Sequence, residues 1–204
     1  ANGFIFVADS QGSGVRLLDS ATGLVSDLIT VDVAYGVALD HSGGAIYVVS
    51  HANAVVHAFE AVTPPVVAPN PAAPTALPAL AWTAGDGTAG VKDGTRAVGQ
   101  LDDPRGLSVD PVTKEVVVCN YAAGVISRVS SAGRVNTFAG STPGHSDAVT
   151  LAAQFTLPYQ VDVDASGASY VAGKGHYVRM ITPGGTVSTL GGDGTPSHRE
   201  RPTA

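Results

Sequence analysis

Two stretches of the chain, "LDDPRGLSVDPVTKEVVVCN" (residues 101–120) and "FTLPYQVDVDASGASYVAG" (residues 155–173), follow one pattern. Each has a β-rich segment that begins at a proline, a short turn that contains Asp with Gly or Pro, and a second β-rich segment. Alternating or β-branched runs bounded by such residues predict a strand, a tight turn and a second strand. The repetition indicates a fold built from one recurring unit.

Two further copies of this unit are present. One runs from Ala34 as "AYGVALDHSGGAIYVVSHANAVVHAFE", and the other runs from Gly3 as "GFIFVADSQGSGVRLLDSATGLVSDLIT", which opens at the second strand of the unit. Each complete unit contains about four short β-rich segments joined by turns, which predicts a four-stranded antiparallel meander. A repeat of roughly 40–50 residues with four strands is typical of a β-propeller blade.

The physical reason for repetition is that one four-stranded sheet cannot bury both of its faces. Neighbouring blades must therefore stack on one another around an axis. We expect the recurring apolar positions to pack between blades. These positions are Val37, Leu39, Ile46, Val48, Leu107, Val109, Val116, Val118, Val161, Val163 and Tyr170.

The composition agrees with an all-β fold. The 204 residues are 44% hydrophobic and 14% charged, with 25 Gly and 13 Pro, so the chain can bury a core and form many turns. No sustained apolar pattern with helical spacing occurs, and helix should be nearly absent. No apolar run approaches the roughly 20 residues that a membrane-spanning helix needs.

Charge and cysteine content restrict the partners and the location. The formal net charge is −6, and the 11 basic residues are scattered among 17 acidic ones, which argues against nucleic-acid binding. Cys119 is the single cysteine, so an internal disulfide is excluded and a reducing compartment is favoured.

An insertion at residues 61–82 interrupts the repeat. Its segment "TPPVVAPNPAAPTALPAL" (residues 63–80) holds six prolines and no charge, which predicts an extended surface loop between blades. It could instead be a ligand for proline-rich readers or an O-glycosylated spacer. Glycosylation would place the protein at the cell surface or outside the cell, so the location stays open.

The repeats resemble the NHL repeat family, through "KDGTRAVGQLDDPRGLSVD", "IFVADSQGSGVRLLDSATG" and "YVRMITPGGTVSTLGG". The similarity covers nearly the whole chain outside residues 61–82, and it implies a β-propeller that binds proteins. The family's Asp at the end of the second strand is kept only at Asp9. Ser50, Asn120 and Gly173 replace it, which indicates degenerate blades.

The resemblance also bears on blade number. Three complete units and a partial one are visible, and the end "GGDGTPSHRERPTA" is similar to the Gly-rich start of another blade. We therefore expect residues 1–204 to form one NHL-type domain that is part of a larger ring, with six blades if it follows the family. A closed ring of about four blades is the alternative.

Several Asp, Gly and Pro residues recur at turns or strand starts, where they have a structural explanation. An Asp before a short turn can bond the turn backbone, and Gly allows close approach. We assign structural turn roles to Asp9, Asp40, Asp110, Asp164, Gly36, Gly106, Pro104 and Pro158.

The sequence offers few candidates for chemistry. The two "DG" loops match neither a phosphate-binding loop nor an EF-hand, so Asp86, Asp93 and Asp193 are interpreted as turn residues. Among the six histidines, His51 and His176 occupy similar places after a second strand, and they are the candidates for a metal site. No catalytic triad motif occurs, and no cofactor is predicted.

Three functions remain open. The first is a non-enzymatic protein-interaction scaffold or a structural subunit of a larger assembly, with protein partners or other copies bound through the propeller faces. The second, through the resemblance, is a metal-dependent enzyme similar to the peptidylglycine amidating lyases. The third is an RNA-binding NHL propeller, which the acidic charge disfavours.

Overall fold

Valine-rich segments separated by Gly, Pro and Asp turns form antiparallel meanders, as their patterning predicts. The structure, a computed structural model, describes residues 4–12, 14–40, 44–60 and 78–196. Sheet 1 contains β1 (Phe4–Asp9), β2 (Gly14–Asp19) and β3 (Val25–Thr30), and sheet 2 contains β4 (Ala34–Leu39), β5 (Ile46–Ser50), β6 (Val55–Phe59) and β7 (Leu80–Ala84). Sheet 3 contains β8 (Pro104–Val109), β9 (Val116–Asn120), β10 (Val125–Val129) and β11 (Val135–Ala139), and sheet 4 contains β12 (Pro158–Val163), β13 (Ser169–Gly173), β14 (Val178–Ile181) and β15 (Val187–Gly191).

The blade architecture predicted from the repeats is confirmed. Three sheets have four strands each, and sheet 1 has three in the described part of the chain. Strand β1 packs against β4 as β5 packs against β8 and β9 against β12. Strand β1 therefore occupies the place of a second strand, and the inner strands of the other sheets are β4, β8 and β12.

Helix is nearly absent, as the composition predicts. Within the described ranges the helical structure is one short 3-10 turn, Thr150–Ala152, in the connection between sheets 3 and 4. No helix in those ranges is long and apolar enough to cross a membrane.

The core lies between successive sheets, and β9 shows how it forms. All five residues of β9 are buried. Because side chains alternate along a strand, Val116 and Val118 pack in the cluster shared with sheet 2, whereas Val117 and Cys119 pack in the cluster shared with sheet 4. A strand sandwiched in this way is apolar on both faces, which explains its continuous valine run.

The inner strands approach one another closely at glycines. A Cβ placed on Gly106 would lie 2.6 Å from the carbonyl oxygen of Tyr159, and one on Gly36 would lie 2.6 Å from the carbonyl oxygen of Arg105. Both distances are well below van der Waals contact, so these positions require glycine. These close contacts lie between β4 and β8 and between β8 and β12.

The prediction of an inter-blade insertion at residues 61–82 is corrected in two respects. Strands β6 and β7 pair with each other, and the amide of Glu60 donates to the carbonyl of Ala79, so the insertion extends a hairpin within sheet 2. Its predicted end overlaps β7, which begins at Leu80. Residues 61–77 themselves lie outside the described residues.

The inference of degenerate blades from the replaced Asp is also corrected for two sheets. Asp9 accepts the amides of Gln11 and Gly12. Ser50 donates from Oγ to the carbonyl of Asp32, and Asn120 accepts the Asp102 amide at 3.0 Å through Oδ1. Ser50 and Asn120 thus still bond turn backbone, but in the connection that precedes the inner strand of their own sheet, one by donating to a carbonyl and the other by accepting from an amide.

Candidate functional site

Three backbone contacts of the same kind build one end of the propeller. A non-glycine residue with positive φ precedes each inner strand, a conformation that side chains rarely adopt. The carbonyl of that residue accepts a hydrogen bond from the amide of the residue that follows the second strand. These pairs are His51 with Val33 (3.2 Å), Tyr121 with Asp103 (3.1 Å) and Lys174 with Leu157 (3.1 Å).

As a result, side chains from the start of each inner strand lie beside side chains from the end of each second strand. Aromatic and charged residues occupy most of these positions, and ring or ion-pair contacts connect them. We call this group the aromatic–basic cluster. Its members are Tyr35, His51, Asp103, Arg105, Tyr121, Tyr159 and Lys174.

Arg105 is the centre of the cluster. Its Nε and Nη2 each donate to one carboxylate oxygen of Asp103 at 3.0 Å, a bidentate pair. Its guanidinium carbon lies 3.8 Å from the ring centroid of Tyr121, and the rings of Tyr35 and Tyr159 flank it at 5.3 and 5.2 Å. The hydrogen bonds to Asp103 raise the pKa of Arg105 and hold its guanidinium, which stays protonated in proteins, in a fixed orientation.

His51 lies beside the same carboxylate. Its Nδ1 lies 2.6 Å from Oδ1 of Asp103, and its ring tilts against Tyr35 with centroids 4.9 Å apart. His176, by contrast, lies exposed in the turn between β13 and β14, with φ of 61°. The structure therefore does not bring these two metal candidates into one cluster. The described residues contain no group of three or more His, Cys, Asp or Glu side chains that could hold a metal ion.

The outer part of the cluster is open to solvent. Tyr159 is 39% exposed, and its ring meets that of Tyr121 edge-on, with centroids 6.0 Å apart. Lys174 is exposed, with its ammonium 5.5 Å from the centroid of Tyr121. The cluster thus combines a fixed inner part, Arg105 on Asp103, with an accessible tyrosine and a lysine.

A second arginine, Arg179, anchors the connection that leads into sheet 4. It is buried, and its guanidinium donates to the carbonyls of Gln154 and Ser146 and to Oδ1 of Asp147, each within 2.8 Å. Partial burial acts to raise the pKa of Asp147, but hydrogen bonds from Thr189 and the charge of Arg179 lower it overall. These hydrogen bonds connect the loop to β15. The guanidinium of Arg179 therefore has a structural role.

Each Asp of the "DG" loops has at least one carboxylate oxygen hydrogen-bonded within the chain. Asp93 accepts both the amide and the hydroxyl of Thr137 in β11, at 2.7 and 2.8 Å. Asp86 accepts from Gln100 and from the amide of Thr88, and these bonds lower its pKa. Asp193 accepts from the amide and the hydroxyl of Thr195.

Asp40, Asp110 and Asp164 each precede the turn between the first and second strands of a sheet, and each contacts that turn. Asp164 accepts from the amide and hydroxyl of Ser166 and from the hydroxyl of Tyr170, and these hydrogen bonds lower its pKa. Asp110 is buried and accepts the amide of Val112 at 2.8 Å. Asp40 accepts the Gly44 amide through its carbonyl, and Pro104 and Pro158 begin β8 and β12.

Cys119 and the cleft beside sheet 4 offer little room for chemistry. The Cys119 thiol is fully buried, and burial raises its pKa, which keeps it protonated. The cleft between Phe155, Pro158, Tyr177 and Arg179 has a volume of about 10 Å³, enough for a single water molecule. The exposed end of the aromatic–basic cluster is the more accessible polar and aromatic surface.

Sequence reasoning missed both Arg105 and Arg179. A signal for the cluster was present in the repeat alignment, because "AYG", "PRG" and "PYQ" place Tyr35, Arg105 and Tyr159 at one repeat position. The residues after the second strands, His51, Tyr121 and Lys174, form a second such set. Arg179 gave no comparable signal, since its partners lie about thirty positions away in an irregular loop.

Comparisons with known proteins support the fold. No family model and no curated protein matches the chain. Among solved structures, an auxiliary nutrient binding protein from Bacteroides thetaiotaomicron has a TM-score of 0.65 at 19% identity, with 83% of this chain and 42% of that one covered. A nidogen/laminin complex has a TM-score of 0.65 at 16% identity, with 94% and 62% covered.

A virginiamycin B lyase from Staphylococcus aureus is also similar, with a TM-score of 0.58, 11% identity, and 92% of this chain and 52% of that one covered. The chain spans less than two thirds of the length of each of these proteins. The similarities show a β-propeller, the fold that the resemblance to NHL repeats implies. The neighbours include binding proteins and a lyase, so the fold alone does not assign an activity.

Proposed function

We propose that this chain is a non-enzymatic binding module that recognises a protein partner through the aromatic–basic cluster. The observation that carries the proposal is Arg105, fixed by two hydrogen bonds to Asp103 and stacked on Tyr121, next to the exposed Tyr159. Tyrosine and arginine are enriched at the energetic centres of protein interfaces. A side chain that is already ordered loses little entropy when a partner binds.

The charges of the cluster favour a partner with an acidic side chain near an apolar or aromatic one. Asp103 neutralises Arg105, whereas Lys174 has an exposed ammonium close to the ring of Tyr121. An acidic group of the partner can pair with Lys174 while an apolar group packs on Tyr159. Scaffolding within a larger assembly would use the same contacts.

A catalytic role has less support from this surface. The cluster places His51 beside Asp103, but it contains no serine or cysteine nucleophile that this pair could activate. Tyr159 and Lys174, the exposed members, suit binding without further chemistry. The lyase among the structural neighbours is related at 11% identity, which is too distant to carry its activity over.

Site-specific photo-crosslinking tests the proposal. A benzophenone amino acid replaces Tyr159 in one variant and Val112 in another, and each is expressed in the source cells. Val112 is a matched control because it is exposed and lies in the turn at the other end of β8. We expect a discrete crosslinked protein from position 159 and none from position 112.

The identified partner is then purified and its affinity is measured. Tyr159→Ala and Lys174→Ala should each weaken binding by about fivefold or more, since interface hot spots contribute at least about 1 kcal/mol. Val112→Ala should leave the affinity unchanged. Equal crosslinking from both positions, or unchanged affinity of the two cluster variants, would overturn the proposal.

A further inference from the structure

One pair of positions recurs in all four sheets. The first is the residue that ends the second strand, and the other lies in the next strand, opposite the residue two places before that end. Because side chains alternate along a strand, the two members of a pair lie on the same side of their sheet. These pairs are Asp9 with Arg16, Ser50 with His57, Asn120 with Ser127 and Gly173 with Arg179.

Two of these pairs are joined directly. In sheet 1, Nε of Arg16 lies 3.0 Å from Oδ2 of Asp9, and it also lies 3.6 Å from the carboxylate of Asp27. In sheet 3, Nδ2 of Asn120 donates to Oγ of Ser127 at 2.8 Å. An arginine at this position can therefore pair with two carboxylates, one of which is the acid that ends the second strand.

Sheet 4 has the arginine without the acid, because Gly173 stands where sheet 1 has Asp9. The two Nη atoms of Arg179 have two partners each in the loop before β12. Its Nε, however, is buried and has no hydrogen-bond partner among the described residues. A buried N–H without an acceptor is destabilising, so we expect an acceptor beside this atom.

The cleft beside sheet 4 lies at this unpaired group, since Arg179, Gly173 and Thr156 all line it. In sheet 3 the carboxamide of Asn120 occupies the equivalent place, where it also accepts the amide of Asp102 at 3.0 Å. Thr156 corresponds to Asp102, because each lies two places before the proline that begins an inner strand. The cleft, of about 10 Å³, admits one oxygen atom, and it opens to solvent at the partly exposed Gly173.

We propose that this cleft binds a carboxylate group, with one oxygen against Nε of Arg179, as Oδ2 of Asp9 lies against Nε of Arg16. A carboxylate fits better than water, because its hydrogen bond with a guanidinium is charge-assisted and stronger. Asp147 does not exclude it, since the Asp147 side chain is 48% exposed and Arg16 already pairs with two carboxylates. The inference is independent of the function proposed for the aromatic–basic cluster, because it uses none of the residues in that cluster.

Two sources present this group in the same form. One is a free small carboxylate, and the other is the side chain of an aspartate on a protein partner. The cleft admits a single oxygen, so the carbon of the carboxylate stays at its opening in both cases. Formate represents the first source, and an aspartate with both backbone ends blocked represents the second.

The Nε–H resonances of the arginines in the unmodified chain give the first test. With sodium formate, the Arg179 signal should shift and saturate with a midpoint of about 10 mM. The Arg16 signal should show no saturable shift, because Asp9 is already paired with its Nε. Sodium chloride at the same ionic strength should give no saturable shift of Arg179. The blocked aspartate is titrated in the same way, and the probe that binds more tightly identifies the source.

Thermal unfolding adds a test with variants. Formate at about 100 mM, compared with chloride, should raise the melting temperature by about 3 °C, because it binds the folded state. Arg179→Lys keeps the charge but lacks the Nε–H, and it should lose this rise. Arg134→Lys is the matched control and should keep the rise, since Arg134 is exposed.

The titration of the unmodified chain decides the question even if Arg179→Lys does not fold. A shift of the Arg179 signal that saturates with formate or with the blocked aspartate supports the proposal. The absence of saturation with both probes, which would leave only water in the cleft, would overturn it. So would an equal response to chloride, because the site would then not select a carboxylate.

Discussion

At the scale of single residues, two arginines connect separate parts of the fold, although the chain has few charged residues. Arg105 connects the inner strand of sheet 3 to aromatic rings of the neighbouring sheets, and Arg179 holds the loop before β12. Both use the planar guanidinium, which donates several hydrogen bonds in fixed directions and stacks on rings. Lysine supplies the charge without this geometry.

Arg105→Ala should lower the free energy of unfolding by about 2 kcal/mol, because two charge-assisted hydrogen bonds and a ring contact are lost. Arg105→Lys should recover about half of that loss, since the charge remains without the bidentate fork. Urea unfolding followed by fluorescence measures both variants.

Arg134→Ala is the matched control for Arg105→Ala. Arg134 is exposed and makes one side-chain hydrogen bond, from Nε to Asn136. Its removal should change the stability by less than about 0.5 kcal/mol. If the Arg105 and Arg134 variants unfold at the same urea concentration, the cluster contributes nothing to stability.

At the scale of the strands, the close spacing of the inner strands depends on glycine. At Gly106 a Cβ would overlap both the Cα and the amide oxygen of Gln160, as well as the backbone of Tyr159. Gly106→Ala should therefore cost about 2 kcal/mol, in the range found for overpacked sites. Thermal unfolding of this variant measures the loss.

Gly191→Ala provides the comparison for Gly106→Ala. Gly191 ends β15, and a Cβ there would meet nothing within 4 Å, so the stability should be unchanged or slightly higher. Equal melting temperatures for the two variants would show that β8 and β12 can separate without cost.

His57 in β6 should make the stability of the fold depend on pH. Burial lowers the pKa of His57 from its usual 6.5, and its Nδ1 lies 2.8 Å from Oγ1 of Thr83 in β7. Below about pH 6.5 the unfolded chain takes up a proton that the folded chain resists, so stability is complete above this pH and falls as the pH decreases. Urea midpoints between about pH 7 and pH 5 should show the decrease.

His57→Gln should flatten this dependence, because glutamine can still bond Thr83 and does not titrate. Carboxylates with lowered pKa, such as Asp9 and Asp164, lose their contribution only at more acidic pH. Parallel midpoint curves for His57→Gln and the unmodified chain between about pH 7 and pH 5 would contradict the role of His57.

At the scale of the whole molecule, charge selects the class of partner. The net charge is −6, with 11 basic residues among 17 acidic ones. A duplex or single-stranded nucleic acid should bind more weakly than about 100 µM at physiological salt, because few phosphates can be neutralised. Fluorescence anisotropy with a labelled RNA and a labelled DNA measures this, and micromolar binding that weakens steeply with salt would contradict it.

The sequence by itself determined the repeating unit, the four-strand meander, the near absence of helix and the turn positions. These features follow from local rules, since strand alternation and the turn preferences of Gly, Pro and Asp act over a few residues. It also placed β1 as a second strand, because the repeats "FIFVAD" and "IYVVS" align. The place of the proline-rich insertion within the β6–β7 hairpin was missed, since β7 follows it with little patterning of its own.

Only the tertiary structure decided which side chains meet. Tyr47 and Tyr170 hold the same position in the repeat, yet Tyr47 is buried against sheet 3 and Tyr170 is exposed among the described residues, because burial depends on contacts between sheets. Arg105 reaches Asp103 and Tyr121 only through the packing of sheets 2, 3 and 4 around one end. Such contacts join residues distant along the chain, and local patterning carries no information about them.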